Sequence, residues 1–227
     1  MNPSTQEDSL VQQTPAELRI NEIFFSIQGE STKVGLPTIF IRLTGCPLRC
    51  RYCDTAYAFH YGEEMPIDTI IQSINQYSAK HVTVTGGEPL AQRSCHELLS
   101  RLCDEGYLVS LETSGAINVA DVDKRVMKIM DIKTPSSSES DKNNFENLAH
   151  ITNNDQIKFV ISNKSDYEWS KQKIIELNLN DICEILFSPE HESISPGDLG
   201  DWILEDKLNV RLQVQLHKYL WGNVTGR

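Results

Sequence analysis

The sequence predicts an α/β fold, a partial, open β/α barrel of about six parallel strands. Three observations lead there. Short runs rich in β-branched and aromatic residues alternate six or seven times with stretches whose apolar residues recur at helical spacing. That alternation is the mark of parallel strands joined by crossover helices. Several of the runs stop at glycines or polar, chemistry-bearing residues, as strands do when a site sits beyond their C-terminal ends. The chain has 227 residues, enough to bury a full core but short for eight β/α units.

Residues 1–17 are polar and read as a loose tail, leaving 18–227 as a single domain. Ile20 to Ile27 is apolar-rich and ends in the turn-like patch Gln28-Gly29-Glu30-Ser31. Pro37 to Leu43 is a buried strand by its β-branched and aromatic content. The segment between Cys53 and Pro66 is short, which predicts a loop in place of a first crossover helix. Ile67, Ile70, Ile71, Ile74 and Tyr77 recur at helical spacing. His81 to Thr85 is a strand, followed by Gly86-Gly87-Glu88-Pro89. Leu90, Cys95, Leu98, Leu99, Leu102 and Cys103 form a helix stripe that Gly106 terminates.

Tyr107 to Glu112, Met127 to Ile132 and Ile157 to Ile161 are further strands, and residues 134–150 are a polar loop or a poorly packed helix. Ser165 with Glu168 reads as a capping box for a helix carrying Trp169, Ile174, Ile175 and Leu177. Cys183 to Phe187 is a strand, Pro196 to Lys207 a helix, and Val210 to Val214 the last strand. Cys95, Cys103 and Cys183 are most simply core residues.

Composition excludes several classes. Net charge is −11 and no Lys/Arg block occurs, which argues against a nucleic-acid surface. No apolar run reaches the length of a membrane span. The first residues carry no apolar leader core, so the chain is expected to be cytoplasmic and its cysteines reduced.

The chemistry concentrates in Cys46, Cys50 and Cys53, spaced C-x3-C-x2-C at the end of the Pro37–Leu43 strand. Thiolates are soft ligands that select iron–sulfur clusters, zinc or copper(I). Structural zinc usually uses two separated C-x2-C pairs, and only one pair is present. Four thiolates close a cubane cluster; three leave one iron open for a small molecule. The later loops also carry unusual residues, namely Glu112-Thr-Ser-Gly115, Asp131-Ile-Lys133 and Ser188-Pro-Glu-His191. With the cysteines and Gly86-Gly87-Glu88-Pro89, such loops in register behind successive strands are a stronger signal than any one alone.

The C-x3-C-x2-C motif resembles that of radical S-adenosylmethionine (SAM) enzymes. Ile27-Gln-Gly-Glu30, Phe40-Ile-Arg-Leu-Thr-Gly-Cys46, Cys53-Asp-Thr55, Thr85-Gly-Gly-Glu-Pro89 and His217-Lys-Tyr219 together resemble one subfamily, the 7-carboxy-7-deazaguanine synthases. The likeness runs from about Ile20 to Leu220.

The resemblance implies a radical SAM core with a four-iron four-sulfur cluster on Cys46, Cys50 and Cys53. It implies SAM against Tyr52, Cys53, Asp54, Gly87, Glu88, Glu112, Ser114, Asp131, Ile132 and Lys133. It implies substrate contacts from Ile27, Gln28, Gly29, Arg42, Thr85 and His217, and Mg2+ on Thr55. No catalytic residue is implied beyond the cofactor, which carries the radical. The implied reaction converts 6-carboxy-5,6,7,8-tetrahydropterin to 7-carboxy-7-deazaguanine and ammonia, on the route to queuosine-type tRNA bases. A homodimer and a one-electron reductant such as flavodoxin or ferredoxin are implied as well. The subfamily has glycine where this chain has Ser31.

Two readings compete. A glycyl-radical-enzyme activase shares the cysteine spacing but should lack Gln28-Gly29-Glu30 and Arg42. A non-catalytic iron–sulfur protein would not need glycine-rich loops behind successive strands.

Overall fold

The computed structural model describes residues 16–227. The predicted tail lies outside them except for Ala16 and Glu17, and Glu17 already opens the first strand. Among the described residues nine strands form one sheet: β1 (Glu17–Ile27), β2 (Pro37–Leu43), β3 (Glu63–Pro66), β4 (His81–Gly86), β5 (Leu108–Thr113), β6 (Met127–Ile132), β7 (Gln156–Ile161), β8 (Glu184–Pro189) and β9 (Arg211–Leu212). Their order is β3-β1-β2-β4-β5-β6-β7-β8-β9.

From β2 through β9 every pairing is parallel. β1 runs antiparallel to both β2 and β3. The parallel core thus matches the expected half-barrel, and an antiparallel flap extends one edge. The α-helices among the described residues are α1 (Ile67–Ile74), α2 (Cys95–Asp104), α3 (Lys164–Glu176), α4 (Pro196–Asp206) and α5 (Leu216–Trp221).

Two hydrophobic clusters build the core. The first joins β1, β2, β4 and β5 to α1 and α2 through residues such as Ile39, Ile70, Val84 and Leu98. The second joins β6–β8 to α3 and α4 through Phe159, Tyr167, Phe187 and Leu199. Cys95 and Cys183 are buried in these clusters, and Cys103 packs against the first from its edge.

Several elements differ from the sequence reading. Residues 54–66 form a 3-10 turn (Ala56–Phe59) and strand β3, and α1 then supplies the helix between β2 and β4. The stripe from Leu90 begins as a 3-10 turn at Pro89–Ala91, and α2 proper starts at Cys95. Ser165 does not cap α3. The helix starts at Lys164, two residues before a Ser165 cap would place it, and the Asn163 side chain accepts a hydrogen bond from the Asp166 backbone N–H. Glu168 therefore sits past the first turn, where it pairs with Lys164 and Lys171. Residues 134–150 hold three short 3-10 turns. The last strand shrinks to Arg211–Leu212.

The loop after β1 closes the open barrel from below. Gln28 Nε2 donates to Thr83 Oγ1 on β4 at 3.1 Å. Thr32 N donates to Gln156 Oε1 on β7 at 3.1 Å, and Ser31 N to Gln213 Oε1 at 2.8 Å. Ser31 holds a left-handed φ of 65°, the backbone that glycine adopts without strain. Its hydroxyl accepts from Lys33 N at 3.1 Å, so the serine keeps the loop's shape by hydrogen bonding.

Candidate active site

The C-terminal ends of the parallel strands open into a cavity of about 540 Å³. Its upper wall is the loop after β2, with Cys50, Tyr52, Cys53, Asp54 and Thr55. Cys46, Cys50 and Cys53 are all free thiols and partly exposed. Burial raises the pKa of each, Cys50 to about 11, although the nearby Lys133 ammonium opposes the rise. The thiols are therefore protonated near neutrality and lose their protons to a metal. Tyr52 is pushed up to about 12, mainly by burial, and its hydroxyl lies 3.3 Å from Thr134 Oγ1.

Gly87 seats this loop. A Cβ there would lie 2.3 Å from Gly45 O and 2.6 Å from Cys46 Cβ. The glycine is thus demanded by the chain's own backbone before any ligand arrives. Glu88 is fully buried and stands outside the cavity lining. It accepts hydrogen bonds from Thr113 Oγ1, Ser114 N, Ser114 Oγ and Leu90 N. Its carboxylate is thereby saturated, and it fixes Ser114, which does line the cavity. Cys46 and Ile132 also stand outside the lining.

The floor holds a charge array. Lys158 Nζ sits 2.7 Å from Glu30 Oε2 and 3.4 Å from Asp131 Oδ2, and Lys133 Nζ sits 3.2 Å from Asp131 Oδ2. Glu112 accepts from Thr85 Oγ1 at 2.9 Å. Burial works against ionisation of Glu30, but Lys158 and its hydrogen bonds hold the carboxyl below the usual range. Burial and the charge of Glu30 raise that of Glu112. Two ammonium groups thus face three carboxylates, and Glu112 is the one disposed to keep a proton. Asp131 Oδ1 is buried and has no hydrogen-bond partner. An orphan acceptor on a cavity wall is what a ligand hydroxyl or ammonium would satisfy.

Arg42, Ile27, Gln28, Gly29 and His217 line the opposite side. Gln28 Oε1 accepts from Glu30 N at 3.2 Å. The C-terminal segment straps this side down. Gln215 Nε2 donates to Glu30 Oε1 at 2.7 Å, Lys218 Nζ lies 2.9 Å from Asp54 Oδ2, and Leu216 N donates to Gly29 O at 3.0 Å. A Cβ on Gly29 would fall 2.0 Å from His217 Nδ1, so Gly29 is what admits that ring. Burial lowers the pKa of His217, which keeps the ring neutral near neutrality. Thr55 Oγ1 donates to Asp54 Oδ1 at 2.9 Å.

Sequence reasoning gave no role to Glu30, Lys158, Gln215 and Lys218 or to the tail Gly222–Arg227, all of which line the cavity; the Ser188–His191 loop it did single out lines the cavity too, Glu190 included. The lone Lys158 in the apolar run Ile157–Ile161 was a readable signal. The tail carried none.

The donor set fits an iron–sulfur cluster. Among the described residues no three His, Cys, Asp or Glu side chains converge on a single ion, and a cubane does not ask for that, since its thiolates sit on separate irons.

An incomplete parallel barrel with three thiols on the loop after its first parallel strand is a radical SAM protein, and a model of the radical SAM superfamily matches residues 40–134. The 7-carboxy-7-deazaguanine synthase of Chlorobaculum tepidum is 45% identical over 212 residues, 92% of this chain and 96% of the relative. That of Koribacter versatilis is 41% identical over 219 residues, covering 90% and 97%. The crystal structure of QueE from Escherichia coli has the same fold, with a TM-score of 0.74 at 24% identity over 88% of this chain and 95% of that one. The chain belongs to the 7-carboxy-7-deazaguanine synthase family.

Proposed function

We propose that this chain converts 6-carboxy-5,6,7,8-tetrahydropterin to 7-carboxy-7-deazaguanine with loss of ammonia, in the biosynthesis of deazapurine tRNA bases. The observation that carries the reading is a single cavity joining the thiol loop to an arginine and a buried charge array. Cys46, Cys50 and Cys53 hold the cluster. Tyr52, Cys53, Asp54, Gly87, Glu88, Glu112, Ser114, Asp131, Ile132 and Lys133 form the SAM site, with Gly87 and Glu88 shaping the wall from behind. The cluster and SAM, when bound, supply hydrogen-atom abstraction by one-electron chemistry.

The chain's own side chains bind and orient. Arg42 has two terminal nitrogens to offer a pterin carboxylate as a fork. Ile27, Gln28, Gly29, Thr85 and His217 meet the pterin ring, and neutral His217 can donate from one nitrogen and accept at the other. Thr55 serves Mg2+, a hard ion that is content with few protein oxygens. A homodimer, a flavodoxin- or ferredoxin-type reductant and a cytoplasmic setting complete the proposal on family membership.

The test is anaerobic reconstitution followed by SAM, a one-electron reductant, Mg2+ and the pterin, with product read by mass and ultraviolet absorbance. Carboxydeazaguanine that disappears in Cys50→Ala is the expected result. SAM cleavage with intact pterin would overturn the substrate, and omission of Mg2+ without effect on KM would overturn the metal.

A further inference from the structure

Arg42 is held by a side chain that does not itself line the cavity. β1 and β2 pair Phe24 with Phe40 and Glu22 with Arg42, yet Ile20 pairs with Leu43. Two steps along β1 thus match one step along β2, and Asn21 is the extra residue of a β-bulge. The bulge decides which way Glu22 faces. Ile20 and Leu43 belong to the hydrophobic cluster beneath α1 and α2. In a regular strand Glu22 would share the face of Ile20, and its carboxylate would be driven into hydrocarbon. The bulge turns it to the inner face, opposite Arg42. Bulges re-aim side chains in this way and are common beside active sites.

Glu22 Oε1 accepts from Arg42 Nε at 2.6 Å and from the Tyr57 hydroxyl at 2.8 Å. The guanidinium carbon lies 5.8 Å from the ring centroid of Phe24 and 5.8 Å from that of Tyr57. The side chains of Arg42 and Glu22 are only 14% and 23% exposed, so this is not a solvated surface pair. Among the described residues, Arg42 donates to a side chain only through Nε, which leaves both terminal nitrogens free. The fork is fixed at its base and open at its tip. A long side chain ordered in advance loses less entropy when it binds.

We propose that Glu22, turned inward by the bulge at Asn21 and tied to Tyr57, is a positioning residue that presents the Arg42 fork to the substrate carboxylate. This rests on the reading of Arg42 as the carboxylate receptor. Tyr57 leaves the cluster loop two residues after Thr55, so the same carboxylate links the thiol loop to the substrate's anchoring end.

The experiment measures equilibrium affinity, by anaerobic calorimetry, of the reconstituted holoenzyme with SAM and without reductant. The probes are 6-carboxytetrahydropterin and its neutral 6-hydroxymethyl counterpart. Glu22→Ala should weaken the carboxylated ligand about tenfold, on the scale of one ordered charged contact, and leave the neutral one unchanged. Glu22→Gln keeps an acceptor oxygen and should recover most of the loss. Tyr57→Phe should cost about threefold, on the scale of one hydrogen bond that steadies the Glu22 carboxylate indirectly. In an Arg42→Ala background Glu22→Ala should add nothing.

A penalty that adds to that of Arg42→Ala, or that strikes both ligands equally, overturns the positioning role. If Arg42→Ala leaves carboxylate affinity intact, the receptor reading itself is wrong, a result distinct from the first. Should Glu22→Ala fail to load its cluster, Glu22→Gln and Tyr57→Phe decide by the same criteria.

Discussion

Single residues here are fixed by their neighbours more than by any ligand. Gly87 packs against Gly45 O and Cys46 Cβ. Gly87→Ala should therefore displace the cluster loop, and iron per chain after reconstitution should fall severalfold while the far-ultraviolet circular dichroism persists. Glu88 accepts hydrogen bonds from four donors with no solvent contact. Glu88→Ala leaves those donors unpaired and should cost about 3 kcal/mol, read as a lower urea midpoint. The same residue scale explains Ser31, whose left-handed backbone is paid for by its hydroxyl and its bond to Gln213.

Elements are joined by a few buried charges. Asp155, ahead of β7, accepts from Lys128 N and Thr152 N and pairs with Lys128 Nζ at 3.1 Å, with side chains 1% and 6% exposed. Asp155→Ala strands that ammonium and should cost about 3–5 kcal/mol, with an unchanged urea m-value. Helix α5 is a different case, since it has no buried residue and is tethered by Gln215, Leu216 and Lys218. Lys218→Ala should loosen it, raise the pterin KM about tenfold and speed proteolysis at exposed Tyr219, while Tm changes little.

At the scale of the whole molecule, the half-barrel encloses more charge than a single core would tolerate, and pairing offsets it. Glu30 has its pKa lowered in the fold because Lys158 outweighs burial. A lowered carboxyl contributes stability above its unfolded pKa and loses it as pH falls through the folded value. Wild-type stability should accordingly drop on acidification below about pH 4, near the unfolded carboxyl range. Glu30→Gln should flatten that slope in urea titrations run at successive pH values.

The parallel strands β2 and β4–β8 were legible because each is a short apolar run whose pattern needs no partner to be read. The cluster loop was legible for a related reason, as C-x3-C-x2-C is contiguous in the chain. The start of α3 was misread because Ser165 and Asn163 both offer caps, and backbone geometry chooses Asn163. The antiparallel flap, the bulge at Asn21 and the Gln215–Lys218 tether lay beyond the sequence. What the sequence determined by itself was the half-barrel, by local periodicity, and the radical SAM loop, by a contiguous motif; resemblance to a family added some of the residues around the cavity, among them Arg42, Glu112 and His217. Only the tertiary structure decided that Lys158 meets Glu30 across 128 positions, that Glu22 turns inward to Arg42, and that the C-terminal segment joins the cavity lining through Gln215 and Lys218. Those pairings follow from strand register and chain closure, which join residues far apart in sequence and leave no local trace.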